Sequence, residues 1–257
     1  MAKEKKIVDI TKEDEKSNER YGKDSSGKII KLEDKGDPKK RATTKRILAI
    51  VFWVVAIIFE VIGILRLNGN IEWFSNLSVS AFLIICILLD LAFFIPGSLF
   101  WKKANHIDPI SEKNQVGFWT YNNLGTILSV LAFLPLIIFV LANKDLDKKS
   151  KTVVSVVAVI ALLIAGVSSY DFNPVSSEQL ERAEQEVLAT NNFNTNKEGI
   201  PVVYWAPNSK KYHVDPDCPA FSQSETVYEG TVKQAFEKNL TDPCRRCIHA
   251  LEDEDEE

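Results

Sequence analysis

Three cysteines and a histidine near the C-terminal end carry the clearest chemistry in the 257-residue chain: His213, Cys218, and then, across a gap of 25 residues, Cys244 and Cys247 as a C-x2-C pair. Two soft ligands at short spacing, a gap and two more is how a chain closes a tetrahedral zinc site, here with one nitrogen and three sulfurs. Four protein ligands leave no open coordination position, so the expected role is structural. Cys244 at a helix start beside Arg245 and Arg246 also favours thiolate over thiol. His249 is a second candidate for the nitrogen ligand. The bland alternatives are a metal-free set of thiols, or a Cys244 to Cys247 disulfide if this part of the chain is extracellular. Cys86 stands apart inside an apolar run and reads as a small buried hydrophobe.

A second pair of residues is notable for its surroundings. Glu60 and Asp90 lie inside long apolar runs in which there is no Lys or Arg to pair with them. A charged carboxylate in a bilayer interior costs roughly 2.5 to 3.5 kcal/mol on insertion scales. The two acids must therefore be protonated, hydrogen-bonded, wetted or bound to a cation. They are candidate steps of a proton or cation path. The competing reading has Glu60 snorkelling outward and a protonated Asp90 hydrogen-bonding between helices as a packing device.

The elements that hold these residues follow from apolar run length. The stretches 47–65, 79–100, 124–142 and 152–168 are 17 to 22 residues long, and about 20 helical residues cross a hydrocarbon core of about 30 Å. They predict a multi-pass cell-membrane protein with four transmembrane helices in residues 46–169. No cleavable leader is expected, because 46 polar residues precede the first apolar run. Those 46 residues carry 15 Lys/Arg against 10 Asp/Glu, and residues 1–45 read as a disordered charged tail, with a turn at 24–27 and a short strand at 28–32 as a minor alternative. Lys39, Lys40, Arg41, Lys45 and Arg46 at its end are a positive-inside signal and a surface for anionic lipid headgroups. With the N-terminus cytoplasmic, nine flanking Lys/Arg fall inside and five outside, which places the C-terminus in the cytoplasm too. A re-entrant hairpin at Pro135 would instead put the C-terminal region outside. Trp53, Trp73, Trp101, Trp119, Tyr121 and Tyr170 mostly flank the runs, as interfacial aromatics do.

Beyond the fourth run, Asn173-Pro174 breaks the chain, and Ser176 with Gln179 predicts a capping box for a helix from Ser177 to Ala189. Its apolar stripe is thin, so residues 170–199 read as a solvated helical stalk and an Asn-rich linker. In 200–250, Val202 to Trp205 and Lys211 to Val214 read as a β-hairpin that delivers His213. Thr231 and Gln234 cap a helix over Thr231 to Lys238, and Asp242-Pro243 look like the cap and first turn of a closing helix that carries the C-x2-C pair. About fifty residues with few apolar side chains seldom fold on a hydrophobic core alone, which fits a metal staple.

The run Val203-Tyr204-Trp205, then Lys211-Tyr212-His213 through Cys218-Pro219, a helix and Pro243-Cys244-Arg245-Arg246-Cys247 resembles the zinc-binding domain of Ada-type DNA-methylation-repair proteins. It is also similar to related modules appended to bacterial membrane and secreted proteins. The resemblance covers about 50 of 257 residues and implies a zinc ion and a small α+β fold. In Ada four cysteines bind zinc, and the one that accepts a methyl group corresponds to His213 here. Histidine at that position removes the sulfur nucleophile, so the resemblance implies the metal without the repair chemistry.

The whole predicts an all-α polytopic membrane region joined to a small α+β zinc-binding domain of a β-hairpin and two short helices, ending in the acidic tail 251–257. Residues 201–250 hold six Lys/Arg against six Asp/Glu, and residues 252–257 are all acidic, which argues against nucleic acid as a partner. Lys210, Lys211, Arg245 and Arg246 are the one local basic set. The reading favoured is a non-catalytic protein that sits in the lipid bilayer and presents its metal module to a protein partner, for interaction or sensing. A small ion or proton transport component using Glu60 and Asp90 is the alternative, and a DNA- or thiol-directed enzyme ranks last.

Overall fold

Asp37 and Pro38 are the start signal of the first long helix: Asp37 Oδ1 accepts a hydrogen bond from the Lys39 backbone N–H at 3.0 Å, and Pro38 occupies the first helical position, where its missing N–H costs nothing. The computed structural model describes residues 20–23, 29–32, 37–71, 75–190, 193–195, 199–221, 224 and 227–249. The turn at 24–27, Trp73 and the acidic tail 251–257 lie outside the described residues.

The chain forms two units. The helical unit, residues 40–105 and 112–174, is built on α1 (Pro38–Leu67), α2 (Val79–Ile107), α3 (Gln115–Asn122), α4 (Leu124–Ala142) and α5 (Lys148–Ser169). α1, α2, α4 and α5 are each long and apolar enough to cross a membrane. Three of them exceed the expected runs. The first starts at Pro38 and not after a disordered 1–45 tail, because the basic residues Lys39 to Arg46 are good helix formers and the Asp37-Pro38 start lies before them. α4 coincides with its apolar run and passes through Pro135 without a break, so the re-entrant hairpin does not form.

α1 and α5 bury mostly small residues and expose bulky ones, while α2 and α4 also bury Leu83, Ile87, Phe94, Phe133 and Leu136. α1 buries Ala49, Trp53, Ala56, Glu60, Gly63 and Leu67 at helical spacing and turns Ile50, Val54, Ile57, Ile58 and Val61 outward. α5 buries Val154, Ala158, Ala161 and Ala165. Close approach of backbones through small residues is how helices associate where lipid removes the hydrophobic drive between them. Trp53 and Trp101 are not at a lipid surface: both are buried, with ring centroids 5.5 Å apart. Trp53 Nε1 donates to Ser98 Oγ at 3.3 Å, and Trp101 Nε1 to the Tyr121 carbonyl at 2.8 Å. Lys102 Nζ donates to the Ser168 carbonyl at 2.6 Å, so a cation meets the negative end of α5.

The second unit takes residues through 39, His106–Ser111 and everything from Val175 on. Its elements are β1 (Arg20–Lys23), β2 (Ile29–Leu32), α6 (Ser177–Ala189), β3 (Asn194–Thr195), β4 (Pro201–Trp205), β5 (Lys211–Tyr212), a single 3-10 turn (Pro219–Phe221), β6 (Val227–Thr231), α7 (Val232–Phe236), β7 (Asp242–Pro243) and α8 (Arg245–His249). A five-stranded sheet runs β1-β2-β6-β4-β3, and β5 pairs with β7. β2 lies parallel to β6, with Ile30 opposite Val227 and Leu32 opposite Glu229, so a second part of the expected disordered tail is strand. Backbone groups that find ladder partners offset the entropy the tail would otherwise keep.

Two further expectations are corrected. α6 begins with the Ser176–Gln179 capping box, but it is not a solvated stalk: Leu180, Ala183 and Val187 enter one core with Val203, Tyr204, Trp205, Tyr212 and Phe236. Three apolar residues on one face suffice when the opposing surface is aromatic. The linker contributes β3, which pairs antiparallel with Val202 and Pro201 of β4.

A Cβ built at Gly97 of α2 would lie 2.9 Å from Trp53 Cδ1 and 3.1 Å from the Ala49 carbonyl oxygen, whereas one at Gly166 would lie 3.6 Å from Ser129 Oγ, an ordinary contact. Gly97→Ala is expected to destabilise the helical unit by about 1 to 3 kcal/mol, read as a lower melting temperature in detergent, with Gly166→Ala near neutral. Equal melting of the two variants would refute this account of α1–α2 packing.

Candidate metal centre

Four loops and turns of the second unit bring the ligand residues together. The Tyr204 N–H donates to the His213 carbonyl at 2.7 Å and the His213 N–H to the Tyr204 carbonyl at 2.8 Å, a bridge that fixes His213 just past β5. The chain then turns: the Asp217 N–H donates to Asp215 Oδ1 at 2.8 Å and the Phe221 N–H to the Cys218 carbonyl at 2.9 Å, so Cys218 heads the 3-10 turn. Cys244 follows β7, where its N–H donates to the Tyr212 carbonyl at 2.8 Å. One turn later the Cys247 N–H donates to the Cys244 carbonyl at 3.0 Å, on α8. Asp242-Pro243 is thus a strand beside Lys211-Tyr212 and not a helix cap, because the pairing with β5 holds it extended until Cys244.

His213, Cys218, Cys244 and Cys247 are all buried, and their ligand atoms all lie within 4.8 Å of one another. Cys247 Sγ and His213 Nδ1 are 3.6 Å apart. Zn–S bonds near 2.3 Å and Zn–N bonds near 2.0 Å put tetrahedral ligand atoms roughly 3.5 to 3.8 Å apart, so the cluster needs to contract by no more than about 1 Å at its widest edge. All four cysteines of the chain are free thiols. The Cys244 to Cys247 disulfide is therefore not formed. The side chain of His249, the second candidate nitrogen ligand, lies outside the described residues.

The electrostatics suit a soft cation. Burial raises the Cys244 thiol, but N–H groups of Cys247 and Arg246 and the side chains of Cys247 and Cys218 outweigh it and hold Cys244 below the usual thiol range. Burial pushes Cys247 up to about 12, aided by neighbouring Cys218 and Cys244 and opposed by a backbone hydrogen bond at Asp215. Of these two, Cys244 is thus the thiol that ionises first. Burial lowers His213, with Asp215 opposing and Lys211 assisting. A neutral imidazole is the form that binds a metal. The Phe221 ring packs against His213 at 4.4 Å between centroids and keeps water from one of its faces.

Glu60 and Asp90, the other residues singled out, lie in the helical unit and take no part in this cluster; both are buried, so Glu60 does not snorkel outward. The sequence reading missed β6, although Val227-Tyr228-Glu229-Gly230-Thr231 carries the β-branched and aromatic residues of a strand. It also missed Phe221, for which spacing offers no signal.

The lowered His213 pKa fixes the direction of acid sensitivity. Its folded value lies below the ordinary 6.5, so its contribution to stability is complete above about pH 6.5 and declines as the pH falls, while protons compete with any bound metal in the same direction. Hydrogen exchange across β4 and β6, corrected for intrinsic rates, is expected to accelerate on the acid side of that value. Protection that stays constant would contradict it. No family model matches the chain, and no curated protein or solved structure matches it either.

Proposed function

We propose that this is a multi-pass membrane protein whose C-terminal unit binds a structural zinc ion through His213, Cys218, Cys244 and Cys247 and presents the folded unit to a protein partner, for interaction or sensing. The observation that carries this is the convergence of four buried ligand atoms within 4.8 Å. The donor set of three sulfurs and one nitrogen is that of structural zinc sites, and it fills the coordination shell, which leaves no place for an activated water. The order of Val203-Tyr204-Trp205, Lys211-Tyr212-His213, Cys218, a helix and the C-x2-C pair is what carries the likeness to Ada-type modules. Histidine at the methyl-accepting position separates this chain from their chemistry.

Connectivity supports one side of the membrane for both ends of the chain. β2 precedes α1, yet it pairs with β6, which follows α5. Residues His106–Ser111, between α2 and α3, belong to the same unit, and the Ser177 N–H donates to the Ile110 carbonyl at 3.1 Å. Two crossings separate each of these segments from the next if α1, α2, α4 and α5 all span the bilayer, so all three lie on one side. Lys39 to Arg46 at the start of α1 argue for the cytoplasm. A reducing compartment would keep the thiols available to metal.

Purified full-length protein is expected to hold one zinc per chain. Cys244→Ser is expected to lose it and to unfold the C-terminal unit while the helical unit retains its melting temperature; metal-free protein with a fully protected β4 would refute the proposal. Reporter fusions at the two ends are expected to report the same compartment, the cytoplasm, and opposite compartments would overturn the placement.

A further inference from the structure

The buried stripe of α1 places one carboxyl group where the rest of the stripe is small or apolar. Contacts along α1 and α2 fix what lies opposite it. Trp53 meets Gly97, Phe59 stacks on Phe93 with ring centroids 5.7 Å apart, and a Cβ on Gly63 would touch Cys86 Cβ at 3.4 Å. The helices run antiparallel, so this register sets Glu60, between Phe59 and Gly63, against Asp90, between Cys86 and Phe93. Glu60 is 6% exposed and Asp90 0%. Neither Asp90 carboxyl oxygen, nor Glu60 Oε1, has a hydrogen-bond partner among the described residues.

Two facing carboxylates in this position would each carry the cost of a buried charge and repel one another. Among the groups on every helix of the unit, only Cys86 is also titratable near the pair, one turn before Asp90 on its own helix. α4 and α5 offer no acid, base or histidine from Leu124 to Ala142 or from Thr152 to Ser169. A hard metal cation wants six or more oxygens, and two carboxyl groups supply at most four. The one serine of α4, Ser129, already donates its hydroxyl to the Thr126 carbonyl at 2.7 Å. A proton needs only the two carboxyls themselves.

We propose that Glu60 and Asp90 form a proton-binding site inside the helical unit, a facing carboxyl pair that keeps at least one proton at neutral pH. The site is independent of the zinc reading, because its residues and its test lie wholly in the helical unit.

Infrared absorption of the full chain in lipid vesicles reads this directly, since a protonated carboxyl has a C=O band separate from that of carboxylates. The band is expected at neutral pH, where exposed acids give none, and it is expected to vanish in Glu60→Gln/Asp90→Asn, whose near-isosteric amides keep the packing. Each single variant is expected to shift the frequency of what remains. Absence of the band at neutral pH, or its persistence unchanged in the double variant, overturns the site. An unshifted band in both single variants overturns the pairing. Loss of the band on addition of sodium or calcium chloride at constant pH would make the ligand a metal cation and overturn the proton assignment.

Discussion

The exposure of Ile, Val and Leu on the outside of the helical unit, with the small residues Ala49, Ala56 and Gly63 of α1 and the alanines of α5 turned inward, is the constraint on which the rest of the molecule depends. In water such a surface would be unstable; against hydrocarbon it is neutral, and only close packing and interhelical polar contacts remain to select one arrangement. That is why α1 and α2 meet through Gly63 and Gly97, why α5 carries Ala158, Ala161 and Ala165 on its buried face, and why the indole N–H groups of Trp53 and Trp101 both find acceptors inside the unit. The same surroundings make a buried carboxyl conspicuous.

The C-terminal unit solves a different problem. Its core is built on Tyr204, Trp205, Tyr212 and Phe236, and α6 supplies a share of it through Leu180, Ala183 and Val187. The sheet holds β4 and β6 together, yet the loop after His213 and the last helix have little apolar surface of their own. A cation joined to four residues at 213, 218, 244 and 247 would tie both to the sheet, and the free energy of such a bond is folding free energy. The metal would thus add to a core that already takes in Val214, Cys218, Phe221, Cys244 and Cys247.

The spans were legible because a run of about 20 apolar residues has few other meanings, and the ligand set because Cys and His at those spacings have few as well. What escaped the sequence depended on distant partners. Ile29 to Leu32 could be read only as a minor strand alternative, because its partner β6 begins only at Val227. The stripe of α6 looks thin until Tyr204, Trp205 and Tyr212 are seen opposite it. Asp242-Pro243 has the composition of a helix start, and only the ladder with Lys211-Tyr212 makes it a strand. Glu60 carries no sign of which way it faces; the spacing of Ala49, Trp53, Ala56, Gly63 and Leu67 around it acquires meaning once those residues are known to be buried.

The parallel pairing of β2 with β6 joins segments made at the beginning and near the end of synthesis, with every long apolar helix between them. Contacts this distant in sequence form late and slowly. The early strand, paired with β1 on one edge, keeps its other edge open until β6 is made. A chain that skipped one insertion would strand its two edges in different compartments, where no ladder can form. Completion of the sheet therefore requires the segments before α1 and after α5 to be brought together.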